Sequence, residues 1–384
     1  MYYPIIASDS NEPSLSSLPR DIVWNCLLRV PRSNHLNISC VSKTLRSLVL
    51  SPEFRSLLPK DSIYVSFLAP RTAMSTNCHW FTLRRLPIEN TKKIQYRLFA
   101  VPIPFPCDAG LFRSYYPTSV VVGPEIYFVG GPYFLNRSSD LWIFDTRSGK
   151  LTQGPSMKVA RTGDYLVGVV DGKIYVIGGA CKDEEEIQVE VFDPISRSWS
   201  FLGEEKMRSC ISRQFAVSMN RKVYMVGYSA CISAYNPNLS EGRRILEMIP
   251  KSKKRTRDEM LSCATSDGVV CVCVVENVMY ACFAWSGLKW FDTKLKVWKK
   301  LVKVDGKPVY AFSVSAMTEY NGMLAVLWPQ RKFDSEEKKD VICGFISLYK
   351  VGERICGKIE WSGIVATVPS DFRSLRCLVV SDHR

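Results

Sequence analysis

The chain has 384 residues, with 51 Lys and Arg against 37 Asp and Glu, for a formal charge of +14 at pH 7. Apolar residues make up 46% and charged residues 23%, a globular balance that excludes an intrinsically disordered chain. The length favours two domains over one, and the basic excess by itself names no partner.

Residues 1–14 lack a basic run followed by an apolar one, so they are expected to be a disordered N-terminus and not a signal peptide. The longest apolar stretches, such as Val269–Val275, are strand-length and far short of a membrane span. The expectation is an intracellular protein, in the nucleus, the cytoplasm or both, with neither membrane nor nucleic acid as partner. The 14 cysteines include no CxxC pair and are expected to be reduced, small, apolar core residues.

Residues 15–58 read as three short helices. Pro19 stands where a first helical position should be, with Asp21 in the first turn. Ile22, Val23, Cys26, Leu27 and Val30 then recur at helical spacing until Pro31 stops the helix. Leu36, Ile38, Cys40 and Val41 suggest a second helix. Ser42 can cap a third, through Leu45, Leu48 and Val49, which Ser51-Pro52 ends. Three helices of this size bury little apolar area alone, so an apolar face should be left for another protein.

The order Leu18-Pro19, Asp21-Ile22, Leu27-Leu28, Val30-Pro31, Leu36, Cys40-Val41-Ser42-Lys43, Arg46, Leu48 and Ser51-Pro52-Glu53-Phe54 resembles an F-box. Leu45 departs from that pattern, where the family usually carries Trp. The resemblance implies a face for a Skp-family adaptor made by Leu18, Pro19, Ile22, Leu27, Leu28, Pro31, Leu36 and Val41.

From Asp61 the pattern changes to short strands and Gly/Pro/Asp turns. Ile126-Tyr127-Phe128-Val129-Gly130-Gly131 returns as Ile174-Tyr175-Val176-Ile177-Gly178-Gly179 and again as Val223-Tyr224-Met225-Val226-Gly227. A second unit follows each, as in Leu141–Asp145, Val189–Asp193 and Leu288–Asp292, and a third carries Trp199, Trp298 or Trp361, or Leu151 in the first repeat. Four strands in a period near 50 is the signature of a kelch-type β-propeller blade. The repeats are read at 113–161 and 165–209, with weaker ones at 213–249, 269–304 and 311–361, inside a β unit spanning 61–382. Three strands near 63–67, 80–83 and 96–100 lack an inner partner, which Arg376–Val380 can supply to close the ring. The expected fold is thus mainly β, a propeller of six blades, or five if 61–107 is a linker, preceded by a small helical F-box.

The combination resembles the plant-type F-box/kelch-repeat family. That resemblance implies a substrate receptor of an SCF ubiquitin ligase: the F-box docks on the adaptor, and through it a cullin/RING scaffold, while the propeller holds a target protein. The rival reading is a kelch scaffold outside any ligase, with the helical segment as a structural cap.

Antiparallel blades of strands a-b-c-d place the b–c and d–a connections at one end. Those are 132–139, 180–187, 228–232 and 329–339, with 157–164, 205–213 and 250–262. This end is the expected binding face, since loops on a rigid scaffold carry function. Arg113 and Arg161 align between repeats and Arg213 lies close by; inward-pointing guanidinium groups could grip an acidic or phosphorylated segment, or be carbonyl-bound. Tyr133 and Phe134 at a loop tip are further contact candidates. So are Lys253 and Arg255 within Lys251–Arg257, five basic residues in seven, a stretch that could equally direct nuclear import or be solvated. An enzyme is not expected. The three histidines, His35, His79 and His383, are far apart, and no Walker, GxGxxG or HExxH pattern occurs. Cys78-His79 and Cys271-Val272-Cys273 read as core residues, so no metal or cofactor is expected.

Overall fold

The computed structural model describes residues 18–30, 35–57, 61–72, 75–87, 94–103, 118–130, 137–161, 165–179, 186–206, 214–249, 267–309, 314–332 and 335–381. The chain divides into a first unit of Met1–Pro59 with Arg147–Gly149, which holds the helices, and a second of Lys60–Thr146 with Lys150–Arg384, which holds the strands.

The helical unit holds α1 (Arg20–Arg29), α2 (His35–Ser39), α3 (Lys43–Leu50) and α4 (Pro52–Leu57). Pro19 is the N-cap of α1 and not its first helical residue. Ser42 caps α3, its hydroxyl accepting the Leu45 N–H at 3.1 Å. The expectation of three helices is corrected to four. Ser51-Pro52 ends α3 and also starts α4, because the Ser51 hydroxyl accepts the Phe54 N–H at 3.2 Å and Pro52 fits the first helical turn. Val23, Leu27, Val49 and Phe54 form the core, with Trp24, Ile38, Leu45 and Leu48 packed against it. Buried His35 donates from Nε2 to the Leu27 carbonyl at 3.0 Å, and its ring lies 5.5 Å from Phe54.

The β unit is six four-stranded antiparallel sheets. Blade 1 contains β1 (Asp61–Thr72), β2 (Ser75–Pro87) and β3 (Ile94–Val101). Blade 2 is β4 (Thr118–Val122), β5 (Glu125–Val129), β6 (Leu141–Asp145) and β7 (Lys150–Gln153). Blade 3 is β8 (Tyr165–Val170), β9 (Lys173–Gly178), β10 (Glu186–Asp193) and β11 (Ser198–Lys206). Blade 4 is β12 (Gln214–Met219), β13 (Lys222–Gly227), β14 (Ile232–Tyr235) and β15 (Ile245–Ile249). Blade 5 is β16 (Val269–Val275), β17 (Val278–Phe283), β18 (Gly287–Asp292) and β19 (Val297–Lys300). Blade 6 is β20 (Ala316–Tyr320), β21 (Met323–Lys332), β22 (Ser335–Val351) and β23 (Arg354–Pro369). The last strand, β24 (Arg373–Ser381), completes blade 1 in the order β24-β1-β2-β3. The ring is a six-bladed propeller, closed where the C-terminal strand pairs with β1 from Asp61↔Ser381 to Leu68↔Arg373.

Apolar packing explains the ring. Each of the six propeller core clusters joins two neighbouring blades. Tyr127, Val129 and Ile143 of blade 2, for example, pack on Tyr165, Val167 and Ile174 of blade 3. The cluster of Ile63, Val65 and Phe67 with Ala325, Leu327 and Phe345 joins blade 1 to blade 6. A sheet in such a ring is buried on both faces, so its strands are apolar on both. β17 and β13 show this, with five consecutive buried residues each. Tryptophans of the outer strands tie neighbours together through their N–H groups: Trp199 donates to the Pro155 carbonyl at 2.8 Å and Trp361 to Ile94 at 3.0 Å.

Two glycines show why the inner region tolerates no side chain. Gly130 has φ +73°, and a Cβ there would lie 2.1 Å from the Tyr165 Oη, which donates to the Val129 carbonyl at 2.5 Å. Gly168 on β8 faces buried Val223 of the next blade, and a Cβ would meet its methyls at 2.5 and 2.6 Å. Overpacking of this kind costs about 1–3 kcal/mol. Gly168→Ala should therefore lower the unfolding free energy measured in urea by that amount, and an unchanged value would show that the blade 3/blade 4 interface yields.

Candidate functional site

Two surfaces carry the sequence-derived candidates. On the helical unit, Leu18 (39% exposed), Ile22 (43%) and Val41 (74%) are open to solvent, and so is Pro19. Ile22 and Cys26, also exposed, stand one turn apart on α1. Leu27 is corrected: it is buried at 2% exposure in the helical core, on the opposite side of α1's apolar pattern, so it shapes the face without touching a partner. Pro31 and the side chains of Leu28 and Leu36 lie outside the described residues. Cys40, part of the motif though not named for the adaptor face, and Leu50, outside the motif, are exposed as well.

On the propeller, the end with the b–c and d–a connections is only partly described. Arg113, Tyr133, Phe134, Arg213, Lys253 and Arg255 lie outside the described residues. Arg161 is described, and its assignment to a target is corrected. Its side chain is 0% exposed and ion-paired to Glu190 at 2.9 Å; it also donates to the carbonyls of Gln188, at 3.0 Å, and Gly178. Glu190 in turn accepts the N–H groups of Lys158, at 2.7 Å, and Val159, at 3.2 Å. This network pins the crossing from blade 2 onto β10. A second buried carboxylate, Glu205, repeats the device, accepting the N–H groups of Gly242 and Arg244 and pairing with the Arg244 guanidinium at 3.3 Å. Sequence reasoning found the arginine and missed both acids, since a lone Glu in a strand carries no spacing signal.

The expected loop 329–339 is also corrected. It is the tip of a hairpin in which β21 runs to Lys332 and β22 begins at Ser335, paired from Trp328↔Ile342 to Lys332↔Ser335. The β1–β2 hairpin of the adjacent blade is extended in the same direction, from Phe67↔His79 to Thr72↔Ser75. Phe372 in the β23–β24 connection joins the two: its ring stacks on His79 at 5.2 Å and its carbonyl accepts from Lys339 Nζ. Blades 6 and 1 therefore raise a wall at this end.

The sequence reading also passed over the three-residue turn 284–286 between β17 and β18. Trp285 at its tip is 76% exposed. The Asp267 carboxylate accepts the N–H groups of Trp285 at 2.9 Å and Ser286 at 3.0 Å, and the Ser286 hydroxyl. Lys289 Nζ stands 3.4 Å away. Partial burial pushes the Asp267 carboxyl up, but the Ser286 hydroxyl, these N–H groups and Lys289 outweigh it and hold it below its ordinary value. The carboxylate therefore holds the turn above the ordinary carboxylate pKa and releases it only as the pH falls through the lowered one. A tryptophan in a turn this short, at the binding end of a propeller, was the available signal.

Among the described residues no group of three or more His, Cys, Asp or Glu side chains could hold a metal ion. Cys271, Cys273, Cys282, Cys343 and Cys356 are buried as expected, whereas Cys26 and Cys40 are exposed. Burial pushes the Cys78 and Cys377 thiols up to about 12 and those of Cys271, Cys273 and Cys343 up as well.

Comparison with known proteins agrees with this architecture. The F-box domain model matches residues 15–57 and the FKB95 kelch-repeats domain model matches residues 80–366. An F-box/kelch-repeat protein of Arabidopsis thaliana is 41% identical over 404 aligned residues, covering 97% of this chain and 99% of its own. A second, from the same plant, is 48% identical over 243 residues, covering 61% of this chain and 90% of its own. A third is 35% identical over 394 residues, covering 98% and 96%. The chain belongs to the plant F-box/kelch-repeat family. The architecture is that of an adaptor or receptor, in general terms the substrate adaptor of an SCF ubiquitin ligase.

Two predictions follow from the geometry. Arg161→Met strands the buried Glu190 charge and should cost about 3–5 kcal/mol. Arg161→Met combined with Glu190→Leu should recover only part of that loss in equilibrium denaturation, since it removes the stranded charge but leaves the Lys158 and Val159 N–H groups without their acceptor. Alkylation near about pH 8 should modify Cys26 and Cys40 in the native protein and leave Cys271, Cys273 and Cys343 untouched until unfolding, as read by peptide mass spectrometry.

Proposed function

We propose that this protein is the substrate-recognition subunit of an SCF-type ubiquitin ligase. Its helical unit docks on a Skp-family adaptor and through it on a cullin/RING scaffold, and its propeller holds a target protein for ubiquitination. The observation that carries the reading is the exposure of Leu18, Pro19, Ile22 and Val41 on a helical unit, in one chain with a closed propeller. Burying a large aliphatic side chain contributes about 1.5–3 kcal/mol.

In this reading the protein breaks and makes no bonds. Its contribution is positional: a bound target keeps a lysine close to the ubiquitin-carrying enzyme, which replaces a bimolecular encounter by an intramolecular one. The work takes place inside the cell, in the nucleus or cytoplasm.

Ile22→Glu places a charge in the proposed interface at a position open to solvent in the free protein, so the fold should survive. Affinity for a Skp-family adaptor should fall by about ten-fold or more by calorimetry. Helical content by circular dichroism should be unchanged. If the wild-type chain binds no adaptor at micromolar concentration, the ligase reading is wrong and a kelch scaffold with a helical cap replaces it.

A further inference from the structure

The outer rim of blade 5 carries a charge that the fold does not balance. From Asp292 to Lys307 the β18–β19 turn, β19 and the start of the connection to blade 6 hold six lysines, Lys294, Lys296, Lys299, Lys300, Lys303 and Lys307, against Asp292 and Asp305. Lys299 is held by Asp292 at 2.7 Å, and Lys307 faces Asp305 at 3.9 Å. The other four form no ion pair among the described residues. Lys294, Lys296 and Lys300 are exposed and Lys303 is half-buried. Cations in the matching connections of other blades are used by the scaffold. Arg197 of blade 3 pairs with Glu125 at 3.2 Å, and Arg244 of blade 4 with Glu205 at 3.3 Å.

Aliphatic side chains stand among these lysines: Leu295 is 62% exposed, Val297 45% and Val304 72%. The two turns that carry the rim are fixed. The Asp292 carboxylate accepts the N–H groups of Lys294 and Leu295, each at 3.0 Å. Asp305 accepts the Lys307 N–H at 3.0 Å, and the Lys303 N–H donates to the Lys307 carbonyl at 2.8 Å. Lys296 has φ +54°, at the position where blade 2 has Gly149 at +69°, so a lysine is kept where glycine fits better. β19 is the outermost strand of its sheet, and lysine on an edge discourages pairing with a strand from another chain. That role needs neither exposed aliphatic side chains nor a lysine in a left-handed turn. What it leaves unexplained is a surface both basic and apolar on a rigid edge.

We propose that this rim, from the β18–β19 turn to the turn at 303–307, docks an acidic segment of a partner protein. Its carboxylates meet Lys294, Lys296, Lys300 and Lys303, and its apolar side chains cover Leu295, Val297 and Val304. The two turns are joined by Val297–Val302, about 20 Å of extended chain. Side chains of β19 alternate, Val297 and Lys299 on one side and Trp298 and Lys300 on the other, so a segment along the edge reaches both. Charge of one sign on the rim selects acidic partners and repels basic ones. Two other anionic surfaces fit less well. Single-stranded nucleic acid is held by stacking on aromatic side chains, and an anionic bilayer by an amphipathic face with Trp, Phe or Leu, whereas no aromatic residue is exposed between Asp292 and Lys307. The rim begins at a c–d turn, the end opposite the b–c connections, and the proposal does not depend on the ligase reading.

The test is selection of a random peptide display library on the full-length chain after depletion on the Lys294→Glu/Lys296→Glu/Lys303→Glu variant, so that only ligands of the rim are kept. Enriched peptides should be acidic with Leu, Ile or Val, and their binding by fluorescence anisotropy should weaken with added salt. Leu295→Ser/Val304→Ser should bind them at least about ten-fold more weakly than wild type. Lys296→Gly, which suits the turn, should be intermediate. All substituted side chains are exposed or half-buried, so urea unfolding of each variant should match wild type. No enrichment, basic or uncharged enriched peptides, or unchanged binding by Leu295→Ser/Val304→Ser would each overturn the proposal. So would oligouridylate, or vesicles of phosphatidylcholine with phosphatidylserine, binding the wild type more tightly than the peptides do and losing that binding in the Lys→Glu variant. Failure of the wild-type chain to bind a Skp-family adaptor, with rim-dependent peptides still selected, would remove the ligase reading and leave this one standing.

Discussion

The pairing of β24 with β1 joins strands 320 residues apart at its end, where the Ser381 hydroxyl donates to the Asp61 carboxylate at 2.6 Å. Everything else in the β unit depends on this closure. Because the apolar clusters lie between blades and not within them, an isolated blade has two wet apolar faces and no core of its own. Left open, the series would end in two such faces and two strand edges. Closure buries the last interface, that of blade 6 on blade 1, in the same manner as the other five. The unit therefore behaves as one domain despite its length, built by repetition.

The helical unit obeys a different constraint. Among the described residues, Val23, Leu27, Val49 and Phe54 pack α1 against α3 and α4, while Leu18, Ile22, Val41 and Leu50 remain in water. The two halves of the chain thus divide the apolar surface unequally. The propeller covers seven of its eight tryptophans, Trp285 being the exception, and leaves single aliphatic side chains such as Ile195, Leu295 and Val304 exposed. The helical segment leaves part of its own uncovered. An apolar face that is partner-dependent and one that is closed upon itself are what an adaptor between two other proteins requires.

The fold was legible in the sequence to the extent that it repeats. The Ile/Val-Tyr-x-Val-Gly unit, the aromatic-Asp unit and the tryptophan of the outer strand each mark a strand, and the orphan strands at either end announced their pairing. What repetition does not encode was missed. The strands of blade 6 run to 17 and 16 residues, and β22 opens on the polar run Ser335–Asp340, which reads as a loop when the repeat length is assumed. The fourth helix was missed because Ser-Pro punctuates a helix end and a helix start alike. Part of the propeller's candidate site falls outside the described residues. For the part inside them, sequence spacing led to Arg161 and not to Trp285.

That error has a physical cause that bears on all repeat proteins. Arg161 lies in the crossing from blade 2 to blade 3, and a crossing has to be fastened to the next sheet. Arg161 does this with two carbonyls and the buried Glu190. The side chain is fully buried, and its charge is paired within the scaffold. A recognition surface needs the opposite: groups whose positions are fixed by the scaffold but whose own surfaces are not used by it. Lys294 and Leu295 meet that condition, their N–H groups bound by Asp292 and their side chains exposed. The raised hairpins of blades 6 and 1 meet it too, with Pro329, Gln330 and Arg331 exposed on β21. Pro329 brings no N–H, and a charged residue follows within two positions, so this edge resists addition of a strand from another chain. Recognition there is left to side chains. In a propeller, then, the residues that repeat build the platform, and the residues that break the repeat are the ones to examine for specificity.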